Sequence, residues 1–248
     1  MIGSRKTMTL FNLAWKRQFF WDGRAPSLRA QVVEPIQNPI EMHETLTNVV
    51  VKLKGSTNDY ASLFEAAFGS REITSQKLAL ALENFLLTLT SYDSKFDRVI
   101  RGAEKFTPDE QRGFELFSTE YDPRRGQFGA DCFYCHGGPL FQSQNFANNG
   151  LDSADIGYAK VSGKESDKGK FSVPSLRNVA LTAPYMHDGR FKNLEEVVEH
   201  YATGVKRSPT LDPNLAKHPN GGVPLSGGDK KALVSFLNTL TDKKALSY

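Results

Sequence analysis

The sequence predicts a mainly α protein whose helices are joined by long irregular loops. Apolar residues recur at helical spacing in several segments. A strong helix-start signal stands at Thr107-Pro108-Asp109-Glu110. The stretches 143–170 and 204–228 are rich in Gly, Asn, Asp and Lys and read as loops.

Taken in chain order, Ser75 to about Leu89 carries Leu78, Leu80, Leu82, Phe85 and Leu86, the pattern of an amphipathic helix. A domain boundary is expected near 101–106, dividing the chain into 1–103 and 104–248. The next helix has Thr107 as cap, Pro108 in the first turn and Glu110 at the capping-box position. It runs through Gly113 and Phe114, a small residue followed by an aromatic, and on through Leu116 towards Phe117. A shorter helix is expected from Leu194 to Tyr201. The last begins after Ser226-Gly227-Gly228 and shows Leu233, Phe236, Leu237 and Leu240.

The bulk numbers set limits. With 248 residues there is room for one large domain or two small ones. Apolar residues make up 39% and charged residues 24%, which suits a globular chain rather than a disordered one. Basic and acidic residues number 31 and 28, too balanced to point to nucleic acid or an anionic membrane. No apolar run reaches the ~18 residues a membrane span needs.

The chemistry concentrates in Cys132-Phe133-Tyr134-Cys135-His136, which holds the only two cysteines. Two thiols at this spacing add to the two vinyl groups of a haem, and the following His136 ligates the iron. The competing readings are poorer. A structural zinc site needs four ligands, and there is no second cysteine pair. A thioredoxin-like redox pair belongs in a βαβ pattern that is not visible here. The fold class is therefore mainly α with cytochrome c-like haem domains, and the Gly113-Phe114 helix and the terminal helix suit the crossing pair of such a domain. Bacterial c-type haem is attached outside the cytoplasm, so a periplasmic location is expected. The start, Met1 to Lys6, has no apolar core of a secretory signal.

The chain also repeats itself. Asn12 and Asn178, and Asp22 and Asp188, share one offset, since 178 − 12 and 188 − 22 both give 166. Leu28 then falls on Leu194 and Val32 on Val198. Applied to His136, the offset places a first haem-binding histidine about thirty residues before Met1. The expectation is a two-haem protein whose first haem motif lies outside this chain.

These residues resemble the bacterial di-haem cytochrome c peroxidases, a family that includes the MauG-like enzymes. The resemblance runs from about Arg5 to about Asp242. It rests on Phe20-Trp21-Asp22-Gly23-Arg24, Asn38-Pro39-Ile40-Glu41-Met42, the Cys-x-x-Cys-His, Pro174-Ser175-Leu176-Arg177-Asn178 and Pro184-Tyr185-Met186-His187-Asp188-Gly189-Arg190. It implies reduction of hydrogen peroxide with electrons from a small cytochrome c or cupredoxin, two haems c and a tendency to form homodimers. His136 matches the proximal ligand of the electron-entry haem and Met186 its axial methionine. Trp21 matches an electron-relaying tryptophan. Gln31 and Glu41 match the Gln and Glu of the peroxide pocket. The resemblance also implies a calcium ion. Its asparagine ligand position holds Lys6, and an ammonium cannot ligate a metal cation. Carbonyls near Ser172 and Pro174 remain as calcium ligands.

On their own terms the same residues read as follows. Met186 offers a soft thioether that raises the potential of an iron; the plain alternative is a core methionine. His187 competes with it as a ligand, and Tyr185 is available for the axial tyrosine that MauG-like proteins carry. Glu41 can move a proton between the two oxygens of peroxide, or it is an ordinary solvated carboxylate. Trp21 on pattern alone is a core aromatic. Arg24 and Arg190 suit haem propionates or ordinary ion pairs equally.

Three functions compete: a di-haem peroxidase, a mono-haem electron-transfer cytochrome without peroxidase activity, and a MauG-like oxidase of an organic substrate. Retained Gln31 and Glu41 favour the first, and a single haem motif favours the second.

Overall fold

The structure, a computed structural model, describes residues 3–243; Met1, Ile2 and 244–248 lie outside the described residues. The chain divides into two compact units. Among the described residues, the first holds those up to Ser4, Leu10–Phe20 and Arg24–Thr90; the second holds Arg5–Thr9, Trp21–Gly23 and those from Ser91 on.

The first unit is helical. A 3-10 turn at Leu13–Trp15 precedes α1 (Leu28–Gln37), α2 (Leu46–Lys54), α3 (Tyr60–Phe68) and α4 (Ser75–Thr88). Each α-helix starts at a side-chain cap: Ser27, Thr45, Asp59 and Thr74 accept from the backbone N–H three residues on. Leu28 and Val32 of α1 pack with Phe19, Ala25 and Ala79 of α4. The helix expected at 75–89 is present, but its Phe85 points to solvent at 59% exposure. Leu82 and Leu86 pack on the core instead. The apolar set spans more of the helix circumference than this small core covers.

The second unit contains α5 (Lys95–Ile100), α6 (Pro108–Ser118), α7 (Ala159–Ser162), α8 (Leu194–Glu199), α9 (Pro213–Ala216) and α10 (Gly227–Asn238). Two small antiparallel ribbons join them. In one, β1 (Tyr121–Asp122) pairs with β2 (Gln127–Phe128); in the other, β3 (Phe146–Ala147) pairs with β4 (Phe171–Ser172). The capping box at Thr107 and Glu110 forms as the sequence predicts. So does the close crossing of α6 and α10: a Cβ on Gly113 would lie 2.0 Å from the carbonyl oxygen of Ala232. Around this crossing Leu116, Phe117, Phe141, Leu233, Phe236 and Leu240 form the main core. Arg177 is buried and grips Asp97 of α5 with two bonds of 2.8 Å.

The internal repeat is a repeat of backbone geometry. Asn12 and Asn178 both have φ near +60°, each just before a 3-10 turn. Phe20 and Met186 have φ of +66° and +71°, and Gly23 and Gly189 of +69° and +71°. The antiparallel bridges Phe19–Ala25 and Tyr185–Phe191 stand at the same offset. Leu28 and Val32 are buried on α1 as Leu194 and Val198 are on α8. The left-handed backbone at Met186 therefore belongs to the shared turn and is not special to one copy.

Candidate haem site

The attachment motif begins on a fixed anchor. Asp131 takes φ +60° and is buried. Its carboxylate accepts from Tyr121 N at 2.9 Å, Lys217 Nζ at 3.1 Å and His218 Nε2 at 2.7 Å. These partners hold its carboxyl below the usual aspartate range, against the cost of burial. A 3-10 turn over Cys132–Tyr134 follows. Cys135 N and His136 N both donate to Cys132 O, at 3.3 and 2.9 Å. The histidine thus lies one tight turn beyond the first cysteine. His136 Nδ1 bonds to the carbonyl oxygen of Phe141 at 3.1 Å. That bond places the proton on Nδ1 and the lone pair on Nε2, the form a metal-ligating imidazole needs.

Cys132, Cys135 and His136 line one cavity of about 220 Å³. Its walls include Phe117, Leu194, Val198, Leu233 and Leu237. An apolar cavity of that size beside the attachment motif is the candidate ligand site. The two thiols are not joined to each other. Burial, and secondly the charge of Asp131, pushes Cys132 up to about 12; burial and Asp212 push Cys135 up to about 11. Redox-active pairs have depressed thiol pKa values, and burial moves both of these the other way. Shielded thiols beside an apolar cavity and an oriented histidine fit a c-type haem bound through Cys132, Cys135 and His136.

Two further side chains that could supply a ligand to a haem iron line the cavity. Met186, the axial ligand expected from sequence, lines the cavity, and so does Tyr201, which the sequence reading missed. Asn149 Nδ2 donates to Met186 Sδ at 3.3 Å and to Tyr201 Oη at 3.4 Å. Burial raises the Tyr201 phenol to about 12. A π-helical turn at His200–Gly204 continues α8 and carries this tyrosine. Such a turn often marks a functional position, but no sequence period announces it. Tyr185, the tyrosine available from sequence, is committed elsewhere: its hydroxyl donates to Val179 O at 3.0 Å. His187 also lines the cavity. Its ring stacks on Phe171 at 3.7 Å and its Nε2 meets Ser153 Oγ at 3.2 Å.

Trp21 is brought to the same cavity. Its indole N–H donates to Lys6 O at 2.8 Å, and its ring meets His187 edge-on at 6.5 Å. Gln31 and Glu41 belong to the first unit. Gln31 lies on α1, and its side-chain oxygen is buried without a hydrogen bond. Glu41 is exposed and accepts from Asn38 Nδ2 at 3.0 Å. Both arginines considered for propionates hold carboxylates: Arg24 pairs with Glu34 at 2.9 Å and Arg190 with Asp188 at 2.6 Å.

At the position the resemblance gives to a calcium-ligating asparagine stands the ammonium of Lys6, which cannot ligate the ion. Among the described residues no three His, Cys, Asp or Glu side chains gather in a metal-binding group. Lys6 Nζ donates to Thr182 O, and neither Ser172 nor Pro174 is its partner.

Fold and site together define a c-type haem protein. The sequence profile of the di-haem cytochrome c peroxidase family matches residues 1–105. The chain is 37% identical to the methylamine utilization protein MauG of Methylorubrum extorquens, over 97% of this chain and 65% of that protein. It is 31% identical to the cytochrome c551 peroxidase of Pseudomonas aeruginosa, over 98% of this chain and 66% of that one. A crystal structure of a MauG-like protein associated with microbial copper homeostasis superimposes with a TM-score of 0.82 at 29% identity, over 97% of this chain and 76% of the other. The chain belongs to the di-haem cytochrome c peroxidase family, which includes MauG. It spans just under two thirds of the length of the MauG and peroxidase relatives named here. Among the described residues, no helix is long and apolar enough to cross a membrane.

Proposed function

We infer that this chain is the part of a peroxidase-type oxidoreductase that takes in electrons. The observation that carries this reading is the His136 Nδ1 bond to Phe141 O, set beside two shielded thiols on an apolar cavity. A haem c held there by Cys132, Cys135 and His136 supplies one-electron chemistry. The protein's own share is positional. Phe141 O fixes the imidazole tautomer, and the Asp131–His218 pair fixes the start of the motif. Phe117, Leu233 and Leu237 form part of the cavity's apolar wall. Trp21, held by its bond to Lys6 O, is the aromatic group assigned to passing electrons on. Hydrogen peroxide is the proposed oxidant and a small cytochrome c or cupredoxin the proposed donor, in the periplasm. Glu41 is assigned to moving a proton between the two peroxide oxygens and Gln31 to orienting them, roles supported by the family resemblance.

A second reading, a MauG-like oxidase, gains support from Tyr201 standing in the cavity and from the 37% identity to MauG. The test of the first reading is expression with a c-type haem maturation system. Covalent haem that survives acid–acetone extraction, and reduction by a small cytochrome, are the expected results. Haem that extracts freely from the purified chain would overturn the assignment of Cys132 and Cys135.

A further inference from the structure

Lys6 stands where the family resemblance expects a calcium ligand, and every polar atom of the residue is used. Its N–H donates to His187 O at 2.8 Å, and its carbonyl oxygen accepts the Trp21 indole N–H at 2.8 Å. Its ammonium donates to Thr182 O and lies 5.7 Å from the centre of the Tyr185 ring. Thr182, Tyr185, His187 and Trp21 all line the haem cavity, as does Lys6 itself. The preceding residue locks the segment in place. Arg5 binds Asp155 through two bonds of 2.6 and 2.9 Å and pairs with Asp22 at 2.5 Å.

Calcium takes six to eight oxygen ligands, drawn from carboxylates, carbonyls and water. Asp22 and Asp155 are already held by Arg5, and the Thr182 carbonyl already faces a cation. A divalent ion brought to Thr182 O would meet the Lys6 ammonium at contact distance, with the Arg5 guanidinium on the neighbouring residue. At Thr182 O the ammonium already makes the contact with a carbonyl dipole that an ion would make there.

We propose that the Lys6 ammonium is the resident cation of the second unit, holding the Thr182–His187 loop against Trp21, and that this protein keeps its haem cavity in shape without calcium. The inference rests on the family assignment and not on the proposed peroxidase activity.

The test uses the purified haem-loaded protein. It is passed through a sizing column in millimolar calcium, and its metal content is measured by atomic emission. Its melting is then followed with and without the chelator EGTA. The expected result is calcium well below one ion per chain and melting unchanged by EGTA. One calcium per chain, or a melting point that falls by about 2 °C or more in EGTA, would overturn the proposal. The variant Lys6→Met keeps the stem and removes the charge. It should melt lower than wild type in EGTA, and melting like wild type would show that the ammonium holds nothing. Should that variant not fold, the two measurements on wild type still decide. None of these readouts depends on peroxide turnover, so failure of the activity and failure of the cation proposal remain distinct.

Discussion

Replacing Gly113 with alanine tests the helix crossing on which the haem cavity is built. The new methyl group would lie 2.0 Å from the Ala232 oxygen, 2.6 Å from its carbon and 2.7 Å from Phe236 Cβ. Ordinary carbon contacts are about 3.5 Å or longer, so α6 and α10 must separate by about 1 Å or more. The obstacle is a backbone carbonyl in a helix, which cannot rotate away as a side chain can. Overpacking of this kind costs about 3 kcal/mol, the upper end of the usual range. Alanine gives back about 1 kcal/mol through its better helix propensity. The net loss is about 2 kcal/mol, or a fall of about 4–8 °C in Tm for a unit of this size. Leu233 and Leu237 on α10 and Phe117 on α6 line the cavity, so the haem absorbance should change in the same melt. Gly227, at the start of α10, has open space around its missing Cβ, and Gly227→Ala is the control expected to melt like wild type. A Gly113→Ala protein that melts within about 1 °C of wild type would refute the close crossing.

The remaining predictions concern the sixth ligand and acid stability. If Met186 ligates the iron, Met186→Leu removes the methionine–iron charge-transfer band and Tyr201→Phe leaves it in place; absence of that band in wild type, with a spectrum altered only by Tyr201→Phe, assigns the tyrosine. Arg177 and the Ser94 cap draw the Asp97 carboxyl down to about 2 in spite of burial. Its folded pKa lies below its unfolded value near 4, so its contribution is complete above about pH 4 and is lost as pH falls towards about 2. Urea midpoints measured from pH 5 to pH 2 should fall steeply for wild type and less steeply for Asp97→Asn. Parallel curves for the two proteins would count against the pair.

Much of this protein is written in local sequence. Cysteine spacing and the histidine after it answer to the chemistry of one cofactor, and they need no tertiary information. The capping box at Thr107 and Glu110 is likewise a matter of residues three apart. The repeat could be read because a shared turn needs the same residue types wherever it occurs, as Asn12 and Asn178 show. The small residue at Gly113 announced a close neighbour, and that neighbour proved to be Ala232.

What tertiary structure alone decided are the meetings of residues far apart. Tyr201 reaches the cavity through a π-helical turn, and Asn149, 52 positions away, holds it there beside Met186. Lys6 finds Thr182 across 176 positions, and Asp97 finds Arg177 across 80. The short segments Arg5–Thr9 and Trp21–Gly23 join a unit otherwise built from residues after 90. Periodicity and capping report on neighbours within a turn or two of the chain. They carry no record of which carbonyl a distant ammonium will meet, because that contact is selected by the packing of the whole unit.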